Sequence, residues 1–410
     1  MDSKIEKFPR GTLRQGGMAV GISTYLLAKL VAMLGGHGTT SSPLADLVLA
    51  LTLQQGDPSG DCRRALKHFP YPAIAEMVID AFYIPLGNPE GLSVRAVPMF
   101  SLDPSRLSIA LIICANFAFV WLAKEGHQHE ICTNFMVKVG EGGPLPYALM
   151  GAVLGGVGSV TVGAGIPFGI PDMLMDIVMG REVRYSVPIY NGEPYEIRFD
   201  PKSFFGKKLP SDLRIPNFVP IVSSRLALDV LMKRVPKSSI NGIVVERNVA
   251  AGHNAPPRTP SVDSSGVRCR VYGERDEPDL ERIADLGIPF WVGGGYASER
   301  GIEDALSAGG TGIQVGTAFA LADESGMNPE VRKNALAIIS KGEEQVSTRH
   351  DYSPTFFPFK IFRMKGTSSE PDVHNARVRV CDKGALRYPY MRSDGTIGYR
   401  CPAEPVEHYV

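Results

Sequence analysis

The sequence has no excess of charge of either sign and few cysteines. Lysine plus arginine and aspartate plus glutamate each number 43 among the 410 residues, so the formal net charge is zero. This balance gives no electrostatic reason to expect nucleic acid or an anionic membrane surface as a partner. The six cysteines are scattered, without a C-x-x-C pair or zinc-like spacing. They predict reduced thiols, a cytoplasmic protein and no metal site.

Targeting segments and long apolar runs are also scarce. No apolar stretch follows the basic residues at the N-terminus, so we expect no signal peptide. The longest apolar run, residues 107–123, is at the short end of spanning length and contains Asn116. We interpret it as a buried helix that precedes a strand, and we expect no membrane span.

Strands and helices alternate along the chain, which predicts a parallel sheet. Neither G-x-G-x-x-G nor G-x-x-x-x-G-K-[ST] opens a helix, which counts against the alternative fold, an open doubly wound sheet. Eight strands would close a (β/α)8 TIM barrel. The predicted strands are residues 17–20, 37–41, 131–137, 159–163, 218–222, 243–245, 288–292 and 313–315.

Three segments interrupt this alternation. Residues 181–216 predict a β-hairpin insertion, with Asn191 and Gly192 at its turn. Residues 341–410 lack helical periodicity and predict a C-terminal extension packed on a barrel formed by residues 1–340. Residues 51–106 have an irregular pattern, for which we expect a lid or an oligomer element.

Two glycine-rich turns follow successive predicted strands near the end of the barrel. One is residues 293–295 (Gly-Gly-Gly), and the other is residues 314–317 (Gln-Val-Gly-Thr). Loops after the last two strands of such barrels commonly bind phosphate through backbone N–H groups, and glycine allows close approach. The alternative is a pair of tight turns that need glycine for steric reasons.

Other candidate residues lie at predicted strand ends. His253 could transfer a proton at neutral pH, although a single loop histidine is more often only solvated. The segment Gln15, Gly16, Gly17 and Met18 could lie against a planar ring, or could be a glycine turn. The Asn134 side chain could form a hydrogen bond with the edge of such a ring, or could cap a loop.

The order of these motifs resembles that of the nitronate monooxygenases, formerly called 2-nitropropane dioxygenases, and of the related FMN-dependent enoyl reductases. The resemblance spans about residues 15–340. Its motifs are residues 15–18, Asn134, residues 163–167, 251–253, 293–295 and 314–319. Ala251 stands where the family often has glycine, which indicates a distinct subgroup.

The resemblance implies FMN at the carboxyl-terminal mouth of the barrel, with His253 facing the flavin as the catalytic acid or base. The residues that it assigns to cofactor binding are Gly16, Gly17, Met18, Asn134, Gly252, Gly294, Gly295, Gln314, Val315, Gly316 and Thr317.

The resemblance leaves three functions open. The first is oxidation of a nitronate or a similar activated carbon acid with O2. The second is an NAD(P)H-dependent enoyl reductase of the fatty acid or polyketide type. The third is a flavin-binding or barrel scaffold protein whose extension, residues 341–410, contacts a partner protein in a biosynthetic complex. We expect a small-molecule substrate, NAD(P)H as a second partner in the reductase, and a homodimer, without nucleic acid or a membrane.

Overall fold

The computed structural model describes residues 8–88, 95–262, 268–353, 357–378 and 383–401. The strands within these residues are β1 (Leu13–Gln15), β2 (Gly38–Ser41), β3 (Ile131–Met136), β4 (Ser159–Gly163), β5 (Val183–Val187), β6 (Tyr195–Phe199), β7 (Asn217–Val222), β8 (Ile243–Glu246), β9 (Thr259–Val262), β10 (Arg268–Val271), β11 (Phe290–Gly293), β12 (Gly312–Val315), β13 (Val346–Arg349), β14 (Phe359–Phe362), β15 (Tyr388–Met391) and β16 (Ile397–Arg400).

The α-helices of the same described residues surround and cover these strands. They are α1 (Tyr25–Met33), α2 (Ala45–Gln54), α3 (Asp61–Lys67), α4 (Pro72–Phe82), α5 (Arg106–Lys124), α6 (Leu145–Leu154), α7 (Ile170–Met179), α8 (Pro201–Phe205), α9 (Arg225–Met232), α10 (Leu280–Ala284), α11 (Glu299–Ser307), α12 (Thr317–Ala320), α13 (Pro329–Ile339) and α14 (Pro371–Ala376).

Eight parallel strands form the central sheet, in the order β1-β12-β11-β8-β7-β4-β3-β2. The first and last strands of this order also meet. The Gln15 N–H donates to the His37 carbonyl at 3.0 Å, and the His37 N–H donates to the Leu13 carbonyl at 2.9 Å. These bonds close the sheet, so the predicted (β/α)8 TIM barrel is confirmed.

Seven of the eight predicted strands are confirmed to within two residues at either end, and the first is wrong. β1 covers Leu13–Gln15, ahead of the predicted residues 17–20. The chain turns after Gln15 because the Ser23 hydroxyl bonds both sides of the glycine pair. It donates to the Gly16 carbonyl at 3.1 Å and accepts from the Met18 N–H at 3.0 Å. The glycines therefore form a loop at the barrel mouth.

A buried arginine occupies the interior of the barrel. Side chains alternate between the two faces of a strand, so β1 and β4 direct Arg14, Ser159 and Thr161 inward. The Arg14 guanidinium donates to Thr161 Oγ1 at 2.8 Å and to Ser159 Oγ at 3.3 Å, and lies 5.1 Å from the centre of the Trp291 ring. Arg14 is 1% exposed. The centre of the barrel is therefore polar and positively charged.

The apolar run seen in the sequence forms α5. This helix has 19 residues and a mean hydropathy of 2.0, long and apolar enough to cross a membrane. It packs against α1, α2, α3, α4 and α6, and most of its side chains are buried. The following strand is β3, so the helix is part of the layer that covers the barrel. The expectation that residues 51–106 are irregular is wrong for α3 and α4, which both pack on α5. Cys62, Ala65 and Leu66 of α3 are buried, as are Ile74, Val78 and Phe82 of α4.

The predicted hairpin insertion is confirmed. β5 and β6 pair antiparallel, and Val183, Val187, Ile197 and Phe199 form their buried face. The extension adds two more hairpins, β13–β14 and β15–β16, and the short helix α14, which the sequence pattern did not reveal. The insertion and the extension meet where the Tyr190 N–H donates to the Pro389 carbonyl at 3.0 Å.

Candidate active site

The predicted site residues lie at the carboxyl ends of the barrel strands. The register of β8, β11 and β12 places Glu246 beside Gly293, and Gly293 beside Gln314. The register of β12 and β1 places Val315 beside Gln15. The mouth of a TIM barrel, where these residues lie, is the face that carries enzyme active sites.

The loop after β1 is held rigidly by hydrogen bonds. The Gln15 amide donates to the Thr39 carbonyl at 2.9 Å and accepts from the Thr39 N–H at 3.1 Å. The Gly16 N–H donates to the Val315 carbonyl at 2.8 Å. Because both neighbouring strands fix this loop, the positions of Gly17 and Met18 are set by the barrel itself.

The structure brings together four of the predicted cofactor residues at this loop. A Cβ on Gly17 would lie 2.0 Å from the Cβ of Asn134, so only glycine fits against that side chain. A Cβ on Gly316 would lie 3.9 Å from the Met18 sulfur. Asn134 is buried in the second half of β3, whereas Gly17 and Met18 are half-buried. A planar ring at the mouth would therefore meet a glycine backbone, a thioether and an amide.

Two glycines at the mouth have no internal reason to be glycine. Among the glycines whose surroundings the structure describes, Gly143 aside, and whose φ lies outside the left-handed region, only Gly293 and Gly316 would place a Cβ more than 3.5 Å from every atom beyond their chain neighbours. The nearest such atoms lie at 3.8 and 3.9 Å. The fold itself would therefore accept a side chain at both positions. Close approach by a ligand is the remaining physical reason for glycine there.

The neighbouring glycines of the same turn have structural reasons. Gly294 and Gly295 have φ values of +98° and +82°, which L side chains rarely adopt. A Cβ on Gly294 would also lie 2.8 Å from the Ala250 nitrogen. The conformation of the turn therefore depends on these two residues. Gly293, which the resemblance did not assign to cofactor binding, is the residue that leaves space for a ligand.

The residues of the second glycine-rich turn, 314–317, differ in exposure. Val315 directs its side chain into the core between barrel and helices, so only its backbone can face a ligand. Gln314 is half-buried, and Thr317 is exposed at the start of α12. The Thr317 hydroxyl is therefore accessible at the mouth.

The C-terminal extension holds His253 in place. The Asn254 N–H donates to the Pro358 carbonyl at 2.9 Å, and the Lys360 N–H donates to the Gly252 carbonyl at 3.1 Å. The His253 and Phe359 rings lie 4.9 Å apart. Burial lowers the pKa of His253, so the imidazole is neutral at pH 7 and can accept a proton. Gly252 has a φ of +85° and open space around it.

Glu246 is a site residue that the sequence analysis missed. It ends β8, and the alternation that buries Ile243 and Val245 in the outer layer directs it into the mouth. Burial raises its pKa to about 7. The signal in the sequence was a carboxylate that ends an apolar strand. In the part of the chain that the structure describes, no group of three or more His, Cys, Asp or Glu could hold a metal ion.

Comparisons with known proteins give distant structural similarity alone. No protein-family model matches the chain, and no curated protein sequence matches it. Solved structures similar to this chain include FabK from Thermotoga maritima, with 15% identity, a TM-score of 0.43, and coverage of 87% of this chain and 72% of that one. Nitroalkane oxidase from Streptomyces ansochromogenes has 13% identity, a TM-score of 0.45, and coverage of 90% and 83%.

A third similar structure is the enoyl reductase domain of MlnA from the macrolactin biosynthesis cluster of Bacillus amyloliquefaciens. It has 10% identity and a TM-score of 0.45, and the match covers 88% of this chain and 65% of that one. Similarity of this degree does not decide between activities.

Proposed function

We propose that the protein is an FMN-dependent oxidoreductase that oxidises a nitronate or a similar activated carbon acid with O2. The observation that carries this proposal is the pair of open glycines, Gly293 and Gly316, at the ends of two adjacent barrel strands. Neither needs to be glycine for the protein to fold, and both border the predicted phosphate turns. A bound phosphate group is a ligand that would need this close backbone approach.

The residues present fit FMN as a group. Backbone at Gly293, Gly294, Gly295 and Gly316 would hold its phosphate, together with the Thr317 hydroxyl. Gly16, Gly17, Met18 and Asn134 would line its ring, since these residues form one rigid surface at the mouth. Bound FMN would supply the means to accept an electron pair from the substrate and to pass it to oxygen.

The role of His253 is proton transfer. Its neutral imidazole would take a proton from the reacting carbon of a neutral carbon acid, a proton that a nitronate has already lost, and burial keeps that imidazole unprotonated at neutral pH. Pairing with β14 fixes the His253 backbone, which limits the positions that the ring can adopt. In the enoyl reductase alternative, the same ring would donate a proton to carbon after NAD(P)H has supplied the electrons.

We place this activity in the cytoplasm and assign a small-molecule substrate. Cys62, Cys114 and Cys132 are free and buried, as expected for a reducing compartment. The homodimer and the scaffold function remain predictions from the sequence.

The test is anaerobic mixing of the purified protein with NADPH, with NADH, or with a nitro compound supplied as the nitronate and as its neutral acid, while the flavin absorbance is recorded. Bleaching by the nitronate or its neutral acid without NADH or NADPH, with colour returning on addition of O2, is the expected result. Bleaching only by NADH or NADPH would overturn the oxidase in favour of the reductase. A colourless protein without affinity for FMN would overturn both and favour the scaffold.

Replacement of His253 by alanine separates catalysis from cofactor binding. We expect His253→Ala to keep FMN bound while turnover falls by roughly 10²–10⁴-fold, as is typical of a lost acid–base group. Unchanged turnover with bound FMN would refute the assigned role.

A further inference from the structure

A cavity of about 320 Å³ lies beside the His253 loop, at the ends of β7 and β8. Its polar wall includes Glu246, Asn248 and Asn254, and its apolar wall includes Leu226, Val230 and Pro256. Asn254 directly follows His253, so a molecule in this cavity would lie beside the loop that carries the proposed base. A volume of this size accommodates a small organic molecule.

The charges around the cavity are already neutralised, with one exception. Arg247 donates to Glu277 at 2.7 Å, and Arg258 donates to Asp276 at 3.2 Å. The Glu246 carboxyl group, in contrast, has neither a hydrogen bond nor an ion pair with the residues that the structure describes. The ionisable group that is left for a ligand is therefore a carboxyl group. An anionic ligand would meet no free cation and would be repelled by Glu246 when it is ionised.

A second side chain in the cavity also lacks a partner. Asn254 is 4% exposed, and its amide nitrogen donates to the Ala250 carbonyl at 2.9 Å. Its Oδ1 atom accepts no hydrogen bond from any described residue. This oxygen is closed off from the cavity by the surrounding atoms, so the Glu246 carboxyl group is the unpartnered acceptor that a ligand in the cavity meets.

We propose that this cavity is the substrate subsite, and that it selects an uncharged small molecule carrying a hydroxyl or amide donor over an anion of the same shape. Glu246 imposes the discrimination, and its carboxyl group accepts the donated hydrogen bond. This inference rests on the proposed function only in calling the bound molecule the substrate. Among the carbon acids of the proposed function, it favours the uncharged form, such as the neutral nitro compound, over the nitronate that forms from it by loss of a proton.

The pH dependence of the discrimination follows from Glu246 and its surroundings. The charged and titratable groups that face the cavity are Glu246, Arg247, Arg258, Tyr272 and Asp276. Burial raises the pKa of Glu246 to about 7, and Arg247 and Arg258 are paired with carboxylates. Discrimination against an anion is therefore strong at pH 8, where Glu246 is ionised, and weak at pH 6.

The test compares isobutyramide with isobutyrate, two probes of one shape that differ in charge. Binding of each to the FMN-supplemented protein is measured by titration calorimetry and ligand-observed NMR at pH 8 and pH 6. We expect isobutyramide to bind at least about tenfold more tightly at pH 8 and the preference to fall at pH 6. Glu246→Gln should reduce the preference to less than about threefold by improving isobutyrate binding.

Glu274→Gln is the matched control, because Glu274 is an exposed carboxylate in the turn that contains Asp276. It should leave the preference unchanged. Tighter binding of isobutyrate by the wild-type protein at pH 8, or a preference that persists in Glu246→Gln and at pH 6, would overturn the inference. The pH comparison needs no variant, so it stands if Glu246→Gln fails to fold. Flavin absorbance of the same samples reports separately on the proposed cofactor.

Discussion

Replacing Gly316 by alanine should separate protein stability from cofactor binding. Gly316 has a φ of −108°, which alanine adopts without strain, and its added Cβ would lie 3.9 Å from the nearest atom beyond its chain neighbours, the Met18 sulfur. A glycine-to-alanine change of this kind leaves stability unchanged or raises it by about 0.4–1 kcal/mol, because the unfolded chain loses freedom. We therefore expect a melting temperature at or above that of the wild type.

The affinity for FMN should change in the opposite direction. The new methyl group would occupy space that the phosphate needs, and overpacking of this kind costs about 1–3 kcal/mol. That range corresponds to a roughly 5- to 150-fold weaker Kd. Fluorescence quenching of FMN, titrated with protein stripped of flavin, measures it directly. Gly293→Ala should behave in the same way, since its added Cβ also has open space.

Gly206→Ala is the control with the reverse pattern. Gly206 ends α8 with a φ of +65° and open space, so alanine there is strained without being crowded. It should cost about 1 kcal/mol of stability and leave FMN affinity unchanged. If Gly293→Ala and Gly316→Ala both bind FMN as tightly as the wild type, the phosphate assignment is wrong.

Two further predictions concern histidines. Phe359→Ala should lower turnover about tenfold and move the acidic limb of the pH profile of kcat/KM to higher pH, because His253 loses the ring that helps to bury it. Phe362→Ala, on the opposite face of the same strand, is the control and should leave that limb in place. An unmoved limb in Phe359→Ala would contradict the positioning role of Phe359. Burial, aided by the nearby Arg14 charge, lowers the pKa of His37 to about 4. Between pH 6.5 and pH 4, His37 therefore binds a proton in the unfolded chain but stays largely unprotonated in the folded protein. The free energy of unfolding should fall by about 3 kcal/mol between pH 7 and pH 4 for this reason. In urea titrations, His37→Gln should not show this fall in the free energy of unfolding. A pH dependence identical to that of the wild type would refute the assignment to His37.

The sequence predicted the barrel because a strand in a parallel sheet is short, apolar and regularly spaced along the chain. It failed at β1, where Arg14 and Gln15 make a polar strand that no periodicity marks. Both side chains are buried because hydroxyl, thiol and carbonyl groups of distant strands accept their hydrogen bonds. Such partners become visible only when the strands are assembled.

The candidate site was predictable in part for a similar reason. Glycine turns after strands identified the mouth, and the structure brings Gly17 against Asn134 across more than a hundred residues of sequence. Glu246 and the support of His253 by β14 were not predictable. Glu246 owes its character to burial, and β14 belongs to an extension whose pairing with the β8 loop has no local sequence signature.

The pairing of β1 with β12 has a consequence for synthesis of the protein. Leu13 lies beside Ile313, so the first strand leaves the ribosome about 15–60 s before its partner at ordinary elongation rates. During that interval the nascent chain carries an open strand edge, which is a hazard for aggregation. The predicted flavin site spans this seam, with residues 16–18 on one side and Gly293 and Gly316 on the other. We expect riboflavin-starved cells to accumulate this protein in the insoluble fraction.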